Sequence, residues 1–186
     1  AAGVDPVFGY GMLDVAKAIR GPSKFDWGDF NVSFSGGSVW QNDITGAGGL
    51  IKNGDGILRL TGKNTYTGGT TVNQGAFVVN GSIRGNTFIG ENGIVGGDGV
   101  LGNVRSEGIL HAGWPYSGTL TVNGNYVNDG GALSVVLGSN VEVTGSATIN
   151  GGLLAVDGVE NSFVRGGDAS VLHAANGVSG HFDEFD

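Results

Sequence analysis

The residue types most often used in acid–base or metal chemistry are few and scattered in this chain. Its three histidines, His111, His173 and His181, each lack a neighbouring His or Cys at the spacing of a metal site. The chain has no cysteine, which excludes disulfide frameworks and thiolate metal sites. Because an isolated histidine is most often a solvated side chain, we predict surface or turn positions for all three.

Two glycine-rich segments approach ligand-binding motifs without completing them. Gly96-Gly97-Asp98-Gly99 is one imperfect copy of the calcium-binding nonapeptide repeat, which requires tandem copies, so we interpret it as a solvated turn. Gly62-Lys63-Asn64 lacks the upstream glycine and the Ser/Thr of a phosphate-binding loop. The sequence therefore indicates no metal site and no cofactor-binding site.

Adjacent carboxylates near the end of the chain are the remaining candidates for acid–base catalysis. Asp183 and Glu184 are typical of a solvated terminus rather than of a general acid and base. A glycosidase would need two or three carboxylates that converge on one outer face of the fold. We keep a polysaccharide-active enzyme as the enzymatic alternative and assign no catalytic residue.

Charge and composition restrict the partners of this chain. A net charge of −8 disfavours nonspecific binding to nucleic acid or anionic membranes. The 39 glycines are interleaved with Val, Ile, Leu and Phe, which favours many tight turns over a flexible linker. There is no long apolar span and no signal peptide. The abrupt start at Ala1 and stop at Asp186 predict a piece of a longer protein.

One segment near the start has the periodicity of a helix. Its apolar residues recur at helical spacing and form one stripe: Met12, Val15, Ala16 and Ile19. Gly21-Pro22 ends the pattern, because proline cannot continue a helix. We predict a helix from Met12 to Arg20 whose stripe packs on a partner.

From Gly48 onwards, short apolar runs alternate with Gly/Asn turns. Comparable positions recur about every 15 to 19 residues: Val72, Ile89, Val104, Val122 and Val141. We predict an all-β fold, a right-handed parallel β-helix with one short N-terminal α-helix, in which each strand pairs with its counterpart one coil later. Six or seven coils would make a rod of about 30 Å. A glycine-rich antiparallel β-sandwich is the alternative.

The predicted organisation has three parts, residues 1–22, 23–49 and 50–186. The middle part alternates aromatic and polar residues, which indicates short strands and turns. Trp27, Phe30 and Trp40 form a candidate interaction patch. We favour the other interpretation, in which these aromatic residues cover the core of the first coil.

The stretch from Gly56 to Gly81, GILRLTGKNTYTGGTTVNQGAFVVNG, resembles the autotransporter-associated β-strand repeat. Three downstream segments are similar to other passenger-domain motifs: 118–126, 143–152 and 175–183. The resemblance covers about Gly48 to Asp183. It implies a β-helical passenger domain exported through the outer membrane to the cell surface or the medium.

Residues Phe8 to Pro22 look like the last helix of a subtilisin-like (S8 family) serine protease domain, which in subtilase autotransporters leads into the β-helix. The catalytic serine of that family sits in a Gly-Thr-Ser-x-Ala motif, and this chain has no such motif. The resemblance therefore implies that the catalytic residues lie upstream of Ala1. It assigns none to this chain, while the parent protein would be a serine endopeptidase.

The resemblance implies a structural stem that carries the protease domain and assists its export. Its partners would be an upstream protease domain and a downstream outer-membrane β-barrel in the same precursor. An adhesin-like module that binds a host-surface or cell-surface ligand is the alternative. We predict no cofactor, no nucleic-acid partner and no enzymatic activity for this chain.

Overall fold

The described structure begins with one short helix. A computed structural model describes residues 14–115, 117–158 and 170–186. Helix α1 is Val15–Ala18, and the Asp14 side chain caps it by accepting a backbone N–H of its first turn at 3.1 Å. The predicted start at Met12 lies outside the described residues. Val15 and Ile19 are exposed, so the described residues do not cover the predicted apolar stripe.

The rest of the described chain winds in coils with three faces, and its strands are numbered in chain order. The first face contains β1 (Lys24–Phe25), β4 (Thr45–Gly46), β7 (Lys63–Asn64), β9 (Ser82–Ile83), β11 (Val100–Leu101), β14 (Thr119–Val122), β17 (Asn140–Val143) and β20 (Leu172–Ala174). The second contains β2 (Phe30–Ser33), β5 (Leu50–Asn53), the first parts of β8 (Thr70–Val79) and β10 (Thr87–Gly97), β12 (Val104–Ser106), β15 (Tyr126–Asn128), β18 (Ala147–Asn150) and β21 (Val178–His181). The third contains β3 (Gly37–Trp40), β6 (Ile57–Leu60), the second parts of β8 and β10, β13 (Ile109–Ala112), β16 (Ala132–Val136), β19 (Leu153–Asp157) and β22 (Glu184–Phe185).

Except for β4 and β7 on the first face, each strand pairs in parallel with its counterpart in the next coil. The series on the second face runs without interruption from β2 to β21. This confirms the predicted all-β parallel β-helix and rules out the antiparallel sandwich for the described residues. Gly75 lies at a φ of 71° within β8, where it bends the strand from the second face to the third. A Cβ there would meet the Gly54 carbonyl oxygen at 2.5 Å, so the bend requires glycine.

The length of the coil varies along the solenoid. Thr70 pairs with Thr87 and Thr87 with Val104, so these two central steps are equal in length. The next step on the same face is longer, because Val104 pairs with Tyr126. The step from Ala147 to Val178 is longer again. The short period predicted from the sequence therefore describes the central coils only.

The equivalent positions predicted beyond Ile89 are wrong. Val72 and Ile89 do pair, but the partner of Ile89 in the next coil is Ser106 rather than Val104. Val122 and Val141 lie on the first face, in β14 and β17. A shift of two positions keeps a strand side chain on the same side, so the apolar pattern cannot separate these registers.

The extra residues enter at the corner between the third and the first face. Only residues 98–99 separate β10 from β11 at this corner, whereas residues 113–118 separate β13 from β14. Along the chain, residues 158–171 separate β19 on the third face from β20 on the first, and 159–169 of them lie outside the described residues. Repeat proteins commonly carry their insertions on one side in this way, because the paired strands tolerate no change in length.

Stacked inward side chains form the core. On the third face, one column of directly paired residues is completely buried along the central coils: Leu58, Phe77, Val95, Leu110 and Leu133. Burial of each such side chain contributes roughly 1.5–3 kcal/mol. Every coil thus depends on its neighbours for its share of the core.

Candidate functional sites

The aromatic residues of the candidate patch separate into two that close the core and one exposed ring. Phe30 pairs with Leu50 and Trp40 with Leu60, so both occupy inward positions of the first coil. Their rings meet edge to face with centroids 5.8 Å apart, and Trp40 is only 9% exposed. Trp27 is fully exposed, and the described ring contacts do not include it. A role of this patch in binding stays a proposal.

His111 lies in β13 and is largely covered, with 15% of its side chain exposed. Its ring stacks on that of Trp114, with centroids 6.1 Å apart. Its Nε2 is 3.4 Å from Asp157 Oδ2. Burial lowers the pKa of His111, and the nearby Asp157 carboxylate opposes that shift. His111 therefore lies on the outward side of a strand and not in a turn, and Trp114 stacks against its ring there.

Ser134, His111 and Asp157 are the residue types of a serine-hydrolase triad without its geometry. In a triad, histidine accepts the serine proton while the carboxylate holds the other ring nitrogen. Here Ser134 Oγ donates to Asp157 Oδ2 at 2.7 Å, so the carboxylate lies between the serine and the histidine. His111 Nε2 makes no hydrogen bond among the described residues. The Ser134–Asp157 bond links two neighbouring coils, and the arrangement does not activate Ser134 as a nucleophile.

His173 ends a chain of hydrogen bonds across the first face. Its Nδ1 is 2.7 Å from Glu142 Oε2, and the other oxygen of Glu142 accepts Asn140 Nδ2 at 2.6 Å. Asn140 Oδ1 in turn accepts the Thr119 hydroxyl at 2.6 Å. His173 is exposed and Glu142 is partly exposed, so this pair contributes little to stability. The predicted surface position of His173 is confirmed.

The acidic residues at the last described coil are structural or solvated. Asp183 Oδ2 accepts the Gly152 backbone N–H at 3.0 Å, which joins the last two coils. Glu184 in β22 and His181 in β21 are both exposed. Among the described residues, no three His, Asp or Glu side chains are placed to hold a metal ion.

The two near-motifs of the sequence lie where the chain passes from the third face to the first, partly in β7 and at the end of β10. Asp98 follows β10 and accepts Asn80 Nδ2 at 2.7 Å. The Lys63 backbone N–H donates to Asp43 Oδ1 at 2.6 Å. Both contacts link neighbouring coils.

Lys52 is a buried charge that sequence reasoning missed. It occupies an inward position of β5, where its pair in the next coil is Val72. Its ammonium group has three acceptors, the carbonyl oxygens of Asn53 at 3.1 Å, Gly54 at 2.7 Å and Gln74 at 3.0 Å. Burial lowers the pKa of Lys52. The alternation Leu50-Ile51-Lys52 could have indicated this burial, because it places Lys52 on the same side of the strand as Leu50.

Comparison with known proteins agrees with this repeat architecture. Residues 50–79 match the passenger-associated-transport-repeat family. The chain is 51% identical over 71 residues to the Neisserial autotransporter lipoprotein NalP of Neisseria meningitidis serogroup B. That match covers 36% of this chain and 7% of the relative.

Two other relatives are more distant. The extracellular serine protease of Serratia marcescens is 31% identical over 102 residues, which cover 35% of this chain and 10% of that protein. Serotype-specific antigen 1 of Mannheimia haemolytica is 34% identical over 62 residues, which cover 33% and 6%. The chain thus spans a tenth or less of the length of the curated relatives it matches.

These matches confirm the predicted resemblance to autotransporter passengers. The chain contains a passenger-type transport repeat, and the relatives' names bear out the predicted export to the cell surface or the medium. The predicted subtilase helix lies partly in residues 8–13, outside the described residues. No helix among the described residues has the length and apolar character needed to span a membrane.

Proposed function

We propose that this chain is the β-helical stem of a subtilase-type autotransporter passenger, which carries a protease domain and assists its export. The observation that supports this best is the unbroken parallel series of coils around a passenger-associated transport repeat. Coils that contact only their neighbours can fold one after another. That order of folding suits a chain that leaves the outer membrane progressively.

The proposed partners are a protease domain before this stem and a translocator domain after it. Support comes from relatives named an autotransporter lipoprotein and an extracellular serine protease. We propose the divisions 1–22, 23–49 and 50–186 as the junction, the transition and the stem. Strands of the transition already pair with the stem, since β2 pairs with β5 and β3 with β6.

Removal of one complete coil tests the role in export. Deletion of residues 70–86 joins Gly69 to Thr87, which occupies the position of Thr70 one coil later. With the chain fused to an autotransporter translocator in a Gram-negative host, we expect this variant to reach the surface like the wild type. Deletion of residues 70–78 breaks the register and should reduce surface display severalfold. Equal display of both variants would contradict an export role for the stacked coils.

The absence of catalysis in this chain is tested separately. The purified chain should neither cleave casein nor react with a fluorophosphonate probe for activated serines. The Ser134→Ala variant is the control, because Ser134 donates to the Asp157 carboxylate, which lies 3.4 Å from His111 Nε2. Labelling of the wild type that is lost in this variant would contradict the stem assignment.

A second candidate function is an adhesin-like module that binds a cell-surface ligand. The observation that favours it is the fully exposed ring of Trp27. Cells displaying the chain alone would adhere to a target surface, and Trp27→Ala would reduce that adhesion. Trp40→Ala is a poor probe of the surface, because it also opens the core. Adhesion that Trp27→Ala leaves unchanged would count against this patch.

A further inference from the structure

A groove on the second face has the chemistry of a ligand site. It has a volume of about 530 Å³ and runs along the solenoid axis across four coils. One side is a row of corner asparagines: Asn86, Asn103 and Asn125. The floor is a column of outward side chains, each paired with the next: Thr71, Phe88, Arg105 and Val127. Three steps of about 4.8 Å give the groove a length of about 14 Å.

The asparagine row presents amide donors along the groove. Asn103 Nδ2 donates to Asn86 Oδ1 at 2.9 Å, and Asn103 Oδ1 accepts the Asn125 backbone N–H at 2.8 Å. These bonds fix the side chains in a ladder. An asparagine amide has two N–H donors, and the described contacts use one donor of Asn103 and none of Asn86 or Asn125. The ladder is therefore pre-organised and keeps donors for a ligand.

The floor of the groove alternates polar and apolar side chains and carries no unmatched charge. Phe88 is partly exposed, and the Arg105 guanidinium lies 5.9 Å from its ring centroid. Arg105 is the one ionisable side chain among the described residues that line the groove. It donates to Asp129 Oδ2 at 2.6 Å and lies 3.4 Å from a Glu107 oxygen. Because two carboxylates already match this cation, the groove does not favour an anionic ligand.

The backbone excludes recognition by strand addition. β10 and β12 form the middle of the groove, and each is paired on both sides. An extended peptide that binds by adding a strand needs a free sheet edge, which this region lacks. Recognition must come from side-chain amides on one side of the ligand and from apolar contact on its flat side.

We propose that this groove binds a neutral oligosaccharide. A sugar chain offers hydroxyl groups along its edge for the asparagine amides, and the apolar face of a ring for Phe88 and Val127. Its neutral charge agrees with the matched charges around Arg105. This binding is independent of the proposed role in export and of the Trp27 patch.

An array of neutral and acidic oligosaccharides probed with the purified chain tests the proposal. We expect binding to neutral members, with Phe88→Ala and Asn103→Ala each lowering the affinity about five- to tenfold. Asn73→Ala is the matched control, because Asn73 Nδ2 makes the same type of ladder bond to Asn53 Oδ1, at 2.9 Å, outside the groove. The affinity of the Asn73→Ala variant should stay within about twofold of that of the wild type.

If Phe88→Ala does not fold, another variant, Gly69→Ser, tests binding in the groove. A Cβ on Gly69 meets only the Asn86 carbonyl oxygen, at 3.5 Å, so Gly69→Ser fits the backbone while adding atoms to the groove. This variant should also weaken binding. The proposal is overturned by no binding of neutral oligosaccharides at millimolar concentration, by binding of acidic members alone, or by binding that all groove variants leave unchanged.

Discussion

Inward side chains at the two ends of the described solenoid differ strongly in how far they are buried. At the first coil, Phe25 is buried and its ring contacts those of Phe30, at 5.3 Å between centroids, and Tyr66, at 5.2 Å. Trp40 completes this aromatic group against Phe30. Four large rings therefore close the core at this end.

At the last described coil, the inward positions remain open. Phe185 pairs with Leu154 on the third face and is 74% exposed. Val178 pairs with Ala147 on the second face and is 51% exposed. An inward position in a solenoid is thus buried only where another coil or a group of large side chains covers it. An apolar side chain at the open end therefore contributes much less to the free energy of unfolding than one at the aromatic end.

The largest expected effect is at the aromatic end. Trp40→Ala removes a buried ring and should lower the free energy of unfolding of the first coils by about 3–5 kcal/mol. Hydrogen exchange measured by mass spectrometry should show faster exchange in 37–40 and 57–60 than in 132–136. Trp27→Ala, at a fully exposed position, is the control and should change stability by less than about 0.5 kcal/mol. Uniform loss of protection along the chain would contradict a locally closed end.

Alkaline pH should weaken the same end through Tyr66. Burial raises the pKa of Tyr66 from 10.0 to about 12, against a smaller opposing effect of its hydrogen bond to Thr70. The unfolded state therefore loses its proton first, and stability that is complete below pH 10 is lost as the pH rises towards 12. The loss should reach about 2–3 kcal/mol.

Urea unfolding at several pH values between 8 and 11.5 measures this loss. Burial also raises the pKa of Tyr126, so part of the alkaline loss should remain in the Tyr66→Phe variant. A stability that falls equally with pH in wild type and Tyr66→Phe would show that Tyr66 does not contribute.

Substitution of a buried polar side chain should lower stability by a smaller amount, and by a similar amount near each end. Lys52→Met leaves three carbonyl oxygens near the aromatic end without their donor and should cost about 2 kcal/mol. Asn128→Leu removes donors to the carbonyl oxygens of Gly131 and Gly151 towards the open end. It should cost about 1–2 kcal/mol. Thermal unfolding followed by circular dichroism checks both, and a more stable Lys52→Met would show that burying the charge costs more than its hydrogen bonds return.

The smallest effect is expected at the open end. Phe185→Ala should lower stability by less than about 1 kcal/mol, because most of the ring is already in water. Hydrogen exchange in β21 and β22 should be fast in both the wild type and this variant. A loss as large as that of Trp40→Ala would mean that the last coil is covered in solution.

The local sequence pattern was sufficient to predict the architecture and part of the aromatic cover of the first coil. Short apolar runs between glycine turns predicted parallel coils. The interpretation of the aromatic residues as a cover for the core agrees with the inward positions of Phe30 and Trp40 but is wrong for the fully exposed Trp27. The same pattern predicted the wrong register at Val104, because a side chain shifted by two positions along a strand still points inward. It also missed Lys52, whose three acceptors are backbone groups that carry no sequence signal.

The sequence by itself determined that the chain coils, because alternation of side chains and positive-φ glycines act over short distances along the chain. Tertiary structure decided which side chains meet. Partners one coil apart are distant in sequence and unevenly spaced, as in Thr70 with Thr87 and Ala147 with Val178. The asparagine ladder, the Lys52 contacts and the covered His111 exist only once that register is set. The difference between the two ends likewise depends on what covers each stack.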